Sequence, residues 1–387
     1  MRRAGALCKR VESCYVRLPR DVRTALSLVA CKRILLTIVR VLSRLAVGPN
    51  LGGQGIAHYQ HSALLDIWGV WDTGWYMGIA LHGYAATPHT TLGSLGQADV
   101  AFFPLYPLLA RWVGWAIRSD YLGGLLVSNV CLIGASVLLY HLARLDHDEA
   151  TSLRAMRYLF VFPMAFVLSG FLTESLFLFL ILACLYCARR ERWLLCGTFG
   201  LLAALTRCMG ALLLVPALYE YLGSRSFQHR RARWDVLCLL LIPLGTWLFG
   251  AFCYRLTGDF LAFSHVQAAW GRHWANPVDV LWSSVCSGNV TDCFWGGFAW
   301  VFLLVLLEGV GRIRRSYWLF GVAMIVAPLT TGSAMSMPRF LVPVFPLYLV
   351  LAGVTENGRI HAALLVCLAL TQMCLMVFWT NAFLITV

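Results

Sequence analysis

The chain has 387 residues, 60% of them hydrophobic and only 13% charged, about half the charged share of an ordinary soluble domain. That balance excludes a soluble globular protein and leaves one that crosses a membrane many times. The formal net charge of +13 does not indicate nucleic acid, because Lys and Arg fall in short clusters between apolar runs instead of forming one soluble basic face.

Residues 1–24 carry Arg2, Arg3, Lys9, Arg10, Arg17, Arg20 and Arg23 and lack the small-residue cleavage site of a signal peptide, so a basic cytoplasmic tail is expected. A helix needs about 20 apolar residues to cross the hydrocarbon core. Residues 25–47 reach that length but are interrupted by Lys32, Arg33, Arg40 and Arg44, which makes them the weakest of the expected spans. Residues 48–118 then form a long outer loop. Inside it FFPLYPLLARWVGWAI, 102–117, is short and holds Pro104, Pro107 and Arg111, the pattern of an interfacial or re-entrant helix. Further spans are expected at about 121–143, 155–170, 173–188, 193–206, 210–223, 236–257, 294–310, 317–331, 338–354 and 360–383, which brings the total to about eleven. The pair 155–170 and 173–188 reads as a helical hairpin with FLTE at its tip. The expected fold is all-α and polytopic, one membrane domain over residues 1–387.

Orientation follows from basic residues, which stay on the cytoplasmic side. With the amino terminus inside, the clusters at Arg144, Arg154 and Arg157, at Arg189, Arg190 and Arg192, at Arg225 to Arg233 and at Arg312 to Arg315 all fall inside. The carboxyl terminus is then outside, and so is the loop 48–118.

That loop contains DIWGVWDTGWYMGIALHGY, 66–84. Its aromatic residues, Trp68, Trp71, Trp75, Tyr76 and Tyr84, are of the kind that gather where bilayer meets water, which puts Asp72 at the membrane surface. A carboxylate there can take the proton of a sugar hydroxyl, a role worth about 10² to 10⁴ in rate; alternatively Asp72 caps a helix at 73–82. Asp66 is expected to be solvated or capping. Glu174, Arg207, Arg255, Asp259 and Arg339 all fall at outer helix ends on the same side. Arg207 in LTRCMG and Arg339 in MPRF could hold a phosphate through two N–H groups or could snorkel to lipid headgroups. Glu174 either favours the first turn of its helix or belongs to the site. In GDFLAFSHVQAAWGRHW, 258–274, His265, Gln267, Trp270, Arg272 and His273 could contact sugar or phosphate, or the whole segment rests on the bilayer as an amphipathic helix.

His58 with His61, and Cys184 with Cys187, lack the further ligands of a metal site. No cofactor is expected, with a divalent metal left open. Most of the fourteen Cys lie in apolar segments as small hydrophobes; Cys286 and Cys293, on the outer side, could pair in an oxidising compartment. Asn289-Val290-Thr291 matches a glycosylation sequon.

Taken together, WDTGWYMGIALHGY at 71–84, FFPLYPLL at 102–109, LTESLFLFL at 172–180, ALTRCMG at 204–210 and MPRFLVPVFPLYL at 337–349 resemble the PIG-V family, within the membrane glycosyltransferases of the GT-C class. The resemblance runs over roughly residues 60–355, and the chain departs from it at Cys208, where members often have proline. It implies an inverting mannosyltransferase that draws on a polyprenyl-phosphate sugar such as dolichyl phosphate mannose, as in GPI-anchor synthesis, and acts on a lipid or glycan acceptor at the non-cytoplasmic face. By the same resemblance Asp72 is the catalytic carboxylate. Trp71 and His82 of its motif, and Glu174, Arg207 and Arg339 of the other blocks, contact substrate. The membrane implied is a bacterial inner membrane, or the endoplasmic reticulum in a eukaryote. The rival is a lipid or glycan transporter, which requires polar residues at the membrane midplane; the enzyme requires one outward pocket holding Asp72, Arg207 and Arg339.

Overall fold

Helix is the regular structure throughout the computed structural model, which describes residues 18–47, 58–85, 96–228 and 233–386, and no strand occurs among them. Most of the basic tail, residues 1–17, and two parts of the outer loop, 48–57 and 86–95, lie outside the described residues. The chain opens with α1 (Arg20–Val47), then the short α2 (Ala63–Asp66), α3 (Thr73–His82) and α4 (Leu105–Ile117). The bundle follows: α5 (Asp120–Ala143), α6 (Glu149–Val161), α7 (Glu174–Arg189), α8 (Trp193–Thr206), α9 (Leu214–Gly223) and α10 (Leu241–Thr257). After α11 (Ala262–His265) and α12 (Pro277–Cys286) come α13 (Val290–Glu308), α14 (Arg315–Leu329), α15 (Met337–Phe340), α16 (Pro346–Val354) and α17 (Gly358–Thr380).

Among the described residues four helical runs are long and apolar enough to cross a membrane: α5, Trp234–Thr257 including α10, α13 and α17. With the shorter apolar helices beside them they make an all-α, multi-pass membrane protein. At the centre stands α7, whose sequence ESLFLFLILACLYCAR is apolar on every face and almost wholly buried, as expected of a helix with no face for solvent or lipid. It packs between α5 and α8. Where α4 meets α5, a Cβ on Gly123 would stand 2.5 Å from the Ala110 carbonyl and the Gly114 nitrogen, so the two backbones cross in contact.

Two expected spans are interrupted. The helix expected over 155–170 ends at Val161, because Phe162 precedes Pro163 and takes an extended conformation (φ −55°, ψ 140°). A buried irregular stretch with a short 3₁₀ turn, Ala165–Ser169, then leads to α7. The span expected over 338–354 is two helices, α15 and α16, split around Pro343 with Pro346 opening the second; proline can start a helix but not continue one. Cys286 and Cys293 are both free thiols, and the Cys293 sulfur lies 3.3 Å from the Val285 carbonyl instead.

At the end of the bundle where α7 and α9 finish, Arg189 binds Asp146 (2.5 Å) and Arg314 grips Glu220 with two N–H groups (2.6 and 2.9 Å). At the other end α7 and α15 begin and α8 finishes. The site is built there.

Candidate active site

Asp66 starts the construction. Its carboxylate is 2% exposed and accepts hydrogen bonds from the backbone of Tyr59 (2.6 Å) and Gln60 (3.1 Å), while His58 Nδ1 lies 2.7 Å away. It is thus a buried pin and not the solvated or capping group expected. Burial draws the Asp66 carboxyl upward, but the Tyr59 N–H, His58 and the Gln60 N–H outweigh it and hold it below the usual carboxylate range. From this pinned turn the chain runs past the fully buried Trp68 to Trp71, a non-glycine residue with φ 58°. Such left-handed backbone costs about 1–3 kcal/mol and persists only where the surroundings enforce it.

Trp71 delivers Asp72 to the start of α3, yet the Asp72 side chain makes no capping hydrogen bond. Instead its Oδ2 accepts from Arg339 Nη1 at 2.5 Å. Arg339 Nε donates to Glu174 Oε1, also at 2.5 Å, and Arg207 Nη1 donates to the same oxygen at 2.9 Å. Each partner comes from a helix end. Glu174 is the first residue of α7, Arg207 is an extended residue just past α8, and Arg339 lies in α15, which is entered through a second left-handed residue, Ser336 (φ 67°). The Glu174 side chain is 0% exposed and that of Arg339 4%, whereas Asp72 keeps 26% of its surface open. Buried charges are tolerable only when paired, and the alternation Asp72–Arg339–Glu174–Arg207 does this pairing. Glu174 Oε2 and Arg339 Nη2 are left buried without a hydrogen-bond partner among the described residues.

Beside this chain of charges lies a cavity of about 380 Å³. Asp72, Arg207, Arg339 and Arg272 supply its polar wall, and Phe102, Phe103, Leu212 and Phe263 its apolar wall. Arg272 has weak contacts only, to the Thr331 hydroxyl and the Met335 carbonyl at 3.3 Å each, and no carboxylate partner among the described residues. Its guanidinium lies 5.3 Å from the Phe340 ring centroid and that of Arg207 5.5 Å, so both cations share one aromatic ring.

Of the residues expected from sequence, the structure brings together Asp72, Glu174, Arg207 and Arg339 and places Gln267 on the cavity wall. Trp71 precedes Asp72, with its indole N–H buried and without a hydrogen-bond partner among the described residues. His82 is exposed at the end of α3, away from the cavity. His265 is exposed too, with Nδ1 2.7 Å from Asp259 Oδ2. The segment 258–274 is not one continuous amphipathic helix. It is α11 followed by a 3₁₀ turn, folded over the cavity because Phe263 packs on Phe103 and Phe249 (centroids 5.4 and 6.0 Å). Tyr76 and the Phe102–Phe103 pair are cavity residues to which sequence reasoning assigned no site role, although they stand in the aromatic motif and the FFP block; Arg272 and Trp270, named with Gln267 as possible contacts in 258–274, are on the cavity wall with it. Among the described residues no group of three or more His, Cys, Asp or Glu side chains is placed to hold a metal ion.

No protein-family model matches the chain, and no curated protein does either. Among solved structures, ArnT from Cupriavidus metallidurans in the apo state is similar, with a TM-score of 0.50 and 16% identity over 89% of this chain and 64% of that one. The fold is of the GT-C kind. ArnT from the same organism bound to undecaprenyl phosphate gives a TM-score of 0.48 at 14% identity, over 92% of this chain and 76% of that one. An Archaeoglobus fulgidus oligosaccharyltransferase gives 0.47 at 11%, over 94% and 55%. This chain thus spans 64% of the length of apo ArnT, and at such identity the likeness is one of fold.

Proposed function

We propose that the protein is a membrane glycosyltransferase that moves a sugar, mannose by its motifs, from a polyprenyl-phosphate carrier to a hydroxyl of a lipid-linked or glycan acceptor at the non-cytoplasmic face. The observation that carries this reading is a single cavity with a carboxylate, Asp72, and the guanidinium groups of Arg207 and Arg272 on its polar wall, and aromatic and aliphatic side chains on the other. Asp72 takes the proton of the acceptor hydroxyl. That oxygen bonds to the anomeric carbon while the bond from the anomeric carbon to the phosphate oxygen breaks, and the electron pair leaves with the phosphate. Fixed guanidinium groups meet the charge that develops there, which is how an enzyme stabilises a leaving phosphate without reorganising water. A single displacement inverts the configuration and needs one base. The apolar wall suits the first units of a prenyl chain. Acceptors of the GPI-precursor type and bacterial envelope glycans both fit this chemistry, in the endoplasmic reticulum or a bacterial inner membrane respectively.

The test is transfer by the purified full-length protein from labelled polyprenyl-phosphate mannose to a panel of lipid acceptors, with Asp72→Asn alongside. Wild-type transfer that falls about 10²-fold or more in a folded Asp72→Asn variant is the expected result. Equal transfer by the variant removes Asp72 from the chemistry. No transfer by wild type to any acceptor turns the reading toward a transporter.

A further inference from the structure

The basic face of α1 takes no part in that reaction. Lys32, Arg33, Arg40 and Arg44 turn toward the interior of the bundle, while Ile34, Ile38, Leu42 and Leu45 on the other side of the helix are 63, 51, 60 and 79% exposed. Lys32 Nζ donates to the Ala165 carbonyl at 2.7 Å, and Arg33 Nη1 donates to that of Ser169 at 2.8 Å while lying 3.7 Å from the Trp68 ring centroid. Arg40 is 0% exposed and sits between Trp68 and Trp379, 4.9 and 4.5 Å from their rings, and among the described residues only its Nε is partnered, by the Thr380 hydroxyl at 3.1 Å. Among the described residues the one carboxylate paired with any of these four cations is Asp66, 3.8 Å from Arg44 Nη1, and Asp66 already has three other partners. Arg40 Nη1 and Nη2, Arg44 Nε and Nη2, and Trp68 Nε1 are all buried without a hydrogen-bond partner among the described residues.

Buried donors are almost always satisfied, and an unpaired buried cation is costly. Here five such N–H-bearing atoms belong to three side chains at one place. Arg40 and Arg44, one turn apart, occupy the same helix face, and guanidinium pairs match the oxygens of a phosphate. We propose that Arg40 and Arg44 form a binding site for the phosphate of a lipid, distinct from the catalytic cavity. Arg44, with 16% of its side chain open, marks the entry near the end of α1. A lipid fits better than a soluble anion because the adjoining surface is apolar: Leu42 and Leu45 on α1, and Phe378 (39% exposed) on α17, which packs against it. The source of the phosphate is either a glycerophospholipid headgroup or a polyprenyl phosphate.

The experiment is native mass spectrometry of the full-length protein in detergent, titrated with phosphatidylglycerol, a short-chain polyprenyl phosphate, diacylglycerol as the phosphate-free control, and inorganic phosphate. Wild type is expected to retain one phosphate-bearing lipid in preference to diacylglycerol. The Arg40→Gln, Arg44→Gln double variant should bind it at least about tenfold more weakly, since charged hydrogen bonds are lost. The phosphate lipid that binds more tightly identifies the source. Lipid addition should raise the Tm of wild type and not of the variant; in lipid-free protein, Arg40→Met should raise Tm by removing an uncompensated charge. Should the double variant not fold, Arg44→Gln, at a partly open position, carries the binding test. Equal binding of diacylglycerol, saturation by inorganic phosphate alone, or unchanged binding by the variants overturns the proposal.

Discussion

Glu174 governs the charge balance at the candidate site. One of its oxygens receives both Arg339 and Arg207, and its side chain has no exposed surface. A neutral amide of the same shape can still accept a hydrogen bond but cannot offset two guanidinium charges. Breaking a buried pair costs about 3–5 kcal/mol because the remaining charge stays dehydrated. Glu174→Gln is therefore expected to unfold at a clearly lower temperature than wild type and to lose transfer. Asp72→Asn should lose transfer with a much smaller stability cost, because Asp72 is 26% exposed and water can replace part of its role. Thermal unfolding of both variants in detergent, read beside transfer, separates the two roles; equal Tm for Glu174→Gln and wild type would mean that the buried network does not hold α7, α8 and α15 together.

At the scale of elements, α3 is aimed by a turn that Asp66 fixes. Because the folded-state pKa of Asp66 lies below its unfolded value, the pin stabilises the fold above that unfolded value, about 3.9 for a free aspartate, and the contribution is lost as pH falls through the folded-state value. Asp66→Asn should thus be less stable than wild type near neutrality, with the gap closing below about pH 4. Unfolding temperatures of the pair across that range check it, and a gap that stays constant with pH would assign the effect to shape instead of charge. The same region shows what a sequence can carry. Apolar length gave the bundle helices, and the helix ends together with the family blocks led to the expectation of one pocket for Asp72, Arg207 and Arg339; the structure sets Asp72 beside Arg339, 267 positions away. The breaks at Pro163 and Pro343 were also written in the chain, but each lies inside an apolar run long enough to read as a span. Arg272 was legible only as one of five candidate contacts in its segment. Its contacts, Thr331 and Met335, lie 59 and 63 residues further on, and nothing local distinguishes it from an arginine resting at a lipid headgroup. Asp66 was misread because its donors are backbone N–H groups, which no side-chain pattern reveals.

At the scale of the whole molecule, charge is drawn to the two ends of the bundle. Asp72, Glu174, Arg207 and Arg339 close one end, and Asp146, Arg189, Glu220 and Arg314 close the other. Helix α13 joins these two levels. Its 19 residues rise about 28 Å at 1.5 Å each, close to the roughly 30 Å hydrocarbon thickness, so residues before it and at its end should face opposite compartments. Asp279, exposed in α12, lies before it, and Glu308, with 66% of its side chain exposed, is its last residue. With the native cysteines replaced, Asp279→Cys should react with a membrane-impermeant maleimide added to intact cells, or to the lumen of opened microsomes. Glu308→Cys should react only when the cytoplasmic side is reached. The reverse pattern would turn the cavity toward the cytoplasm, where a carrier presenting its sugar at the opposite surface could not deliver it, and the proposed reaction would fail on topology alone. Equal labelling of both from one side would mean that α13 does not cross, and would undo the assignment of the two charged ends to two membrane faces.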